Sequence, residues 1–313
     1  MTQLLEVDDL VVSFGALRAV DGISFAVTPG ETLGLVGESG CGKSTTALAL
    51  MRLLQGATLR GAARFAGRDL LALDEAAMRR VRGAEIAMIF QDPGTSLHPL
   101  IPVGEQVAEV LRAHLDIPAT EARARALELF RKVGIAAPEQ RLRAYPHELS
   151  GGMCQRVMIA AAIACGPRLL LADEPTTALD VTVQAQILDL LRSIARDSGM
   201  AVILITHDLG VVAGLADRVA VMYAGRIVEA ADTRTLFANP AHPYTRGLLG
   251  AVPQLDRGWD EDLPTIAGSV ETALAAKGCR FAPRCNFAYA ACAERPPLEA
   301  VGEGHVAACW KVR

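Results

Sequence analysis

No block of like charge stands out along the chain, and 31 basic against 35 acidic side chains leave a formal net charge of −4. The basic patch or stripe of a nucleic-acid binder is missing, so nucleic acid is not an expected partner. A secretory leader is missing too: the opening MTQLLEVDDL has no basic stretch followed by an apolar run, which predicts a chain that stays in the cytoplasm. The longest purely apolar stretch, near 157–165, falls far short of the roughly 20 residues that a spanning helix needs. If the protein serves a membrane, it must dock onto other chains. Internal repeats, heptad runs and low-complexity tracts are lacking as well. Seven cysteines in a cytoplasmic chain do not read as a disulfide framework; where they cluster, they point to metal or catalysis. Four of them do cluster, at Cys279, Cys285, Cys292 and Cys309.

What is present is a chain of 313 residues, 51% of them hydrophobic, enough to bury one large core and a smaller appendage. Short apolar runs with β-branched content at 33–36, 86–90, 169–172 and 202–206, each bounded by Gly, Pro or charge, predict buried strands. Amphipathic stretches at 43–54 and 182–198 predict helices covering a sheet, and an α/β core follows. From about 92 to 150 the periodicity is helical, as at 103–114 and 121–133, with no strand-like run; this predicts a helical subdomain inserted in the core. The expected division is therefore a nucleotide-binding domain over 1–238 and an extension over 239–313. A Gly/Pro-spaced stretch, 239–264, leads into the cysteine-bearing tail, which reads as neither strongly helical nor strongly strand-like.

The run 33–36 leads directly into Gly37-Glu38-Ser39-Gly40-Cys41-Gly42-Lys43-Ser44-Thr45, the full phosphate-loop pattern between a strand and a helix. Glycines let successive backbone N–H groups turn toward phosphates at a helix N-terminus, Lys43 reaches the outer phosphates, and the Ser44 hydroxyl can ligate magnesium. Cys41 reads as a small loop residue. Farther on, the run 169–172 ends in Asp173-Glu174-Pro175, two carboxylates at the mouth of a buried strand, where nucleotide chemistry takes place in such folds. Alone, such a pair could be an ordinary solvated cap. Beside a phosphate loop, Asp173 is expected in the magnesium shell, and Glu174 is expected to orient or deprotonate the water that attacks the γ-phosphate. A second Gly-rich turn, Leu149-Ser150-Gly151-Gly152-Met153, leads into an apolar helix and again offers an N-terminus suited to an anion.

Leu149-Ser150-Gly151-Gly152, standing between the two nucleotide motifs, resembles the signature of the ABC ATPase superfamily, in which it caps the ATP held by the opposite subunit. Other positions fit the same superfamily in order and spacing over roughly 4–235. Phe14, just before Gly15, resembles the aromatic that stacks on adenine. Gln91 in Phe90-Gln91-Asp92-Pro93 resembles the glutamine that touches magnesium and the water and senses the membrane domain. Asp180 resembles the D-loop aspartate, and His207 in Thr206-His207-Asp208 the switch histidine. The flanks Gln91-Asp92-Pro93-Gly94-Thr95-Ser96-Leu97, Tyr145-Pro146-His147-Glu148 and His242-Pro243-Tyr244-Thr245-Arg246-Gly247, with the tail Gly278-Cys279-Arg280-Phe281-Ala282-Pro283-Arg284-Cys285, are similar to the oligopeptide and dipeptide importer ATPases. One departure is Cys154, which stands where that family usually has Arg.

The resemblance implies an ATPase subunit that powers peptide import from the cytoplasmic face of the membrane. Its partners would be a second, related ATPase in a heterodimer, two permease subunits and an external solute-binding protein. Importers of nickel, opines or glutathione share most of these flanking motifs, and a soluble DNA-repair ATPase of the superfamily is a remote alternative. The cysteine tail is expected to hold one [4Fe–4S] cluster. Gaps of five, six and sixteen residues between successive cysteines differ from the CxxC pairs that usually mark zinc. Four thiolates can ligate a cubane, and a tail with little apolar periodicity needs such a staple. Zinc and unligated structural cysteines are the alternatives; the resemblance implies the cluster.

Overall fold

The computed structural model describes residues 3–177, 179–252, 266–270, 273–274 and 276–312. Along the chain the elements are β1 (Leu5–Phe14), β2 (Leu17–Val27), β3 (Thr32–Val36), α1 (Lys43–Leu50), β4 (Thr58–Phe65), β5 (Arg68–Asp69), α2 (Glu75–Val81), β6 (Ile86–Ile89), α3 (Pro93–Ser96), α4 (Val103–His114), α5 (Ala119–Lys132), α6 (Pro138–Arg141), α7 (Gly151–Ile163) and β7 (Leu169–Asp173). They continue as α8 (Val181–Ser198), β8 (Ala201–Thr206), α9 (Leu209–Leu215), β9 (Arg218–Tyr223), β10 (Arg226–Asp232), α10 (Thr233–Ala238), α11 (Pro243–Gly250), β11 (Glu299–Gly302) and β12 (His305–Ala307). The chain divides into two compact units, one of 1–71 with 204–313 and one of 72–203.

In the first unit, β2, β1, β4 and β5 form an antiparallel sheet in that order. It was not expected, because β1 does not alternate: register shifts between Val7 and Leu10 and again near Val11 and Ser13 accompany a left-handed φ of 46° at Asp9. Bulges of this kind break the period of two that marks a strand in sequence. A second set of strands runs β11-β12-β10-β9-β3, with β3 and β9 parallel. The tail thus carries two short strands that its sequence does not advertise, and β12 pairs with β10 through Glu229 opposite Ala307 and Ala230 opposite Val306. Glu229 is fully buried beneath this pairing. It accepts hydrogen bonds from the Ala241 and His242 amides at 2.6 and 2.9 Å and meets His305 Nε2 at 2.8 Å. Within the stretch expected to be Gly/Pro-spaced, α11 forms at once after Pro243; residues 253–264 lie outside the described part.

Asp21 ties the tail to β2. Its carboxylate pairs with Arg226 and Arg280 at 2.9 and 3.0 Å and with Arg18 at 3.1 Å, while Arg226 also donates to the Gly278 carbonyl at 2.9 Å. Burial works to raise the Asp21 carboxyl, but hydrogen bonds from Arg226 and Arg18 and the charge of Arg280 hold it below the usual carboxylate range. Its stabilisation is therefore present above the ordinary aspartate pKa of about 3.9 and is lost as pH falls through the lower folded value. Asp21→Ala leaves buried guanidinium groups uncompensated and is expected to cost about 3 kcal/mol at pH 7. A urea midpoint for the variant equal to that of the unaltered chain would refute this.

In the second unit β6 and β7 pair in parallel, Ile86 opposite Leu169. β7 is buried at every residue, as a strand covered on both faces must be. Between them lie α3 to α7, with no strand among the described residues. Helix α8 shows why these segments fold locally: Asp180 caps its N-terminus by accepting from the Val183 amide at 2.9 Å, Gly199 closes its C-terminus in the left-handed region, and Ile187, Leu191, Ile194 and Ala195 form its buried stripe.

Candidate nucleotide site

In the first unit the phosphate loop joins β3 to α1. Gly42 caps the helix at φ 106° and Gly37 sits at φ 152°. A Cβ on Gly37 would press into the Met222 carbonyl oxygen, and one on Gly42 would come within 2.6 Å of the Ala19 oxygen, so both positions require glycine. Lys43 is buried, and its ammonium donates to the Gly37 and Glu38 carbonyls at 2.8 and 2.9 Å, which folds the loop around it. Cys41 is fully buried, and burial pushes its thiol up despite the Lys43 charge. Ser44 and Thr45 occupy the first turn of α1. In the same unit Phe14 ends β1 at the tip of a hairpin and is 37% exposed. His207 follows β8 on an exposed turn, and Asp208 beside it caps α9.

In the second unit Asp173 is the last, buried residue of β7. Glu174 follows in the left-handed region at φ 45°, a conformation that costs a non-glycine residue of order 1–3 kcal/mol and collects at functional sites. This turn aims the carboxylate at Gln91: Glu174 Oε2 accepts from Gln91 Nε2 at 3.2 Å and from the Thr177 hydroxyl at 2.8 Å. Gln91 and Glu174, 83 residues apart, are thus brought together. Thr177 was not singled out from sequence as a site residue; a hydroxyl three residues after a carboxylate at a strand end was the available signal. We expect Thr177→Val to lower kcat by about three- to tenfold with ATP affinity unchanged, since it frees one side of the carboxylate. Equal kcat in the two proteins would remove Thr177 from the site.

The signature turn lies in the same unit. Ser150 caps α7, its hydroxyl accepting from the Met153 amide at 3.3 Å. Gly152 packs so closely on α8 that a Cβ would lie 2.7 Å from Val183 Cγ1, and Val183 is the residue whose amide Asp180 caps. Gly152 of this turn therefore lies against the first turn of α8, the turn that Asp180 caps. Cys154 is buried beneath the turn, its thiol 3.5 Å from the Pro146 oxygen. No helix among the described residues is long and apolar enough to cross a membrane.

The four tail cysteines line one small cavity, walled also by Phe281, Phe287, Tyr289 and Trp310. Burial pushes the Cys279 and Cys285 thiols up; backbone amides oppose this, while the neighbouring thiols push the same way. Among the described residues no three His, Cys, Asp or Glu side chains are grouped as ligands of a single ion. A cubane spreads its four thiolates more widely than one ion with bonds of about 2.3 Å. Four thiols at one cavity are a donor set of the kind that such a cluster uses.

The ABC transporter family profile matches residues 20–177, and the profile of the oligopeptide/dipeptide transporter C-terminal region matches 228–292. The chain belongs to the ABC transporter family of ATP-binding subunits, and its reaction is ABC-type ATP hydrolysis. It is similar to a probable peptide ABC transporter ATP-binding protein of Sinorhizobium fredii, 54% identical over 98% of this chain and 95% of that one. The oligopeptide transport ATP-binding proteins OppD of Salmonella typhimurium and Escherichia coli are 51% and 50% identical, each over 98% of this chain and 93% of theirs. Among solved structures, a dimeric ATP-binding cassette in a post-hydrolysis state bound to ADP and Pi aligns with TM-score 0.66 and 28% identity, over 74% of this chain and 99% of that one. CbiO1 of Clostridium perfringens, part of an ABC transporter complex, aligns with TM-score 0.67 and 28% identity, over 76% and 92%.

Proposed function

We propose that this chain powers the import of dipeptides and oligopeptides through partner permeases. The observation that carries the reading is the importer-type C-terminal region, matched over 228–292, on the same chain as the cassette matched over 20–177. The nucleotide-binding domain spans 1–238 and the extension 239–313. Glycines of the loop 37–42 with Lys43 and Thr45 cradle the phosphates, and Phe14 stacks on adenine. Ser44, Asp173 and Gln91 hold magnesium, which neutralises the charge that develops on the phosphates. Glu174 orients or deprotonates the attacking water, Gln91 touches the magnesium and that water, and His207 serves as the switch histidine. Ser150, Gly151 and Gly152, with Asp180, close on the ATP of a second, related ATPase, so that the working unit is a heterodimer. The helices over 92–150 form a subdomain that passes closure to two permeases on the cytoplasmic face, and an external solute-binding protein delivers the cargo. Cys279, Cys285, Cys292 and Cys309 hold one [4Fe–4S] cluster with a structural role.

The test is to purify the chain with its permeases and binding protein in lipid and ask which ligand stimulates ATP hydrolysis. Stimulation by di- or oligopeptides is expected. Stimulation by nickel, an opine or glutathione alone would replace the peptide assignment and keep the transport role.

A further inference from the structure

Glu38, the second residue of the phosphate loop, is held from behind by the C-terminal region. Arg284 pairs with the Glu38 carboxylate at 2.8 Å, and the arginine itself is only 5% exposed. Its other donors go to the Ala267 and Ile266 carbonyls at 2.7 and 2.9 Å and to the Tyr223 hydroxyl at 3.4 Å. The fork is therefore pre-set, and the guanidinium loses little freedom in meeting the carboxylate. A second hold is on the backbone: the Glu38 amide donates to the Tyr244 hydroxyl at 2.9 Å. Tyr244 is fully buried, with ring centroids 4.6 Å from Tyr223 and 5.4 Å from Phe281. Both contacts lie within one compact unit.

A carboxylate belonging to a loop that receives a polyanion repels it unless paired. We propose that Arg284 and Tyr244 are positioning residues of the ATP site. Arg284 cancels the Glu38 charge, Tyr244 fixes the path of the first turn, and the C-terminal region thereby sets triphosphate affinity. This rests on the glycines of 37–42 with Lys43 and Thr45 being the triphosphate cradle, an assignment that Lys43→Ala tests separately.

The experiment titrates the purified full-length chain with a non-hydrolysable ATP analogue and magnesium, and measures KM and kcat with ATP. Arg284→Met is expected to raise Kd and KM about tenfold with kcat within about twofold. Adding Glu38→Gln, which removes the charge and keeps an acceptor for the loop, is expected to bring the affinity back to within about threefold. Tyr244→Phe is expected to raise Kd about threefold. Unchanged affinity in Arg284→Met, or no recovery on adding Glu38→Gln, overturns the proposal. If Arg284→Met does not fold, Glu38→Gln alone decides: it should bind the analogue as tightly as the unaltered chain or more tightly, and a loss above about threefold overturns the electrostatic role. Normal binding by Lys43→Ala would instead remove the cradle assignment itself.

Discussion

Glu174→Gln is expected to lower ATP turnover by about a hundredfold or more while leaving ATP and magnesium bound. The substitution keeps the shape of the side chain and an acceptor for Thr177, and it removes the negative charge to which activation of the water is assigned. Lys43, Ser44 and Asp173, to which binding is assigned, are untouched. Glutamine also tolerates φ 45° no worse than glutamate, so the turn should keep its form. Single-turnover hydrolysis and nucleotide binding, measured together, separate the two effects. Near-normal turnover would show that another group is the base.

The second large effect concerns iron. Protein purified without oxygen is expected to be brown and to carry about four irons per chain. Cys285→Ser should lose most of that iron and loosen the region around β11 and β12, because ligand binding in such a small region is also folding energy. Iron analysis and proteolysis of the tail read the two consequences independently. A colourless anaerobic preparation with one tightly bound zinc would sink the cluster assignment.

The parts of the site readable from sequence are those whose chemistry is contiguous. The loop 37–45, the turn 149–152 and the pair Asp173-Glu174 each need particular residue types side by side, because backbone amides or a strand end present them together. β3, β6, β7 and β8 were readable for a similar reason: a strand buried on both faces is a short apolar run. The N-terminal antiparallel sheet was hidden by the bulge at Asp8 and Asp9, and β11 and β12 by their brevity. Arg284 and Glu38 are separated by 246 residues, and no local period records such a pairing. Thr177 stands only three residues past Glu174, but its role is set by the left-handed turn at Glu174, which sequence does not announce.

The pairing of β12 on β10 bears on how the chain can be cut. By sequence, 238/239 is the natural place to separate a nucleotide-binding domain from its extension. Yet a chain ended there loses β12, and with it the cover on one side of β10 and the His305 partner of Glu229. What remains is an open strand edge with a carboxylate no longer enclosed, and unpaired ladder groups of this kind recruit strands from other molecules. The shortened domain would therefore self-associate through β10, and oligomers seen in such a fragment would reflect the missing residues rather than any dimer formed on ATP.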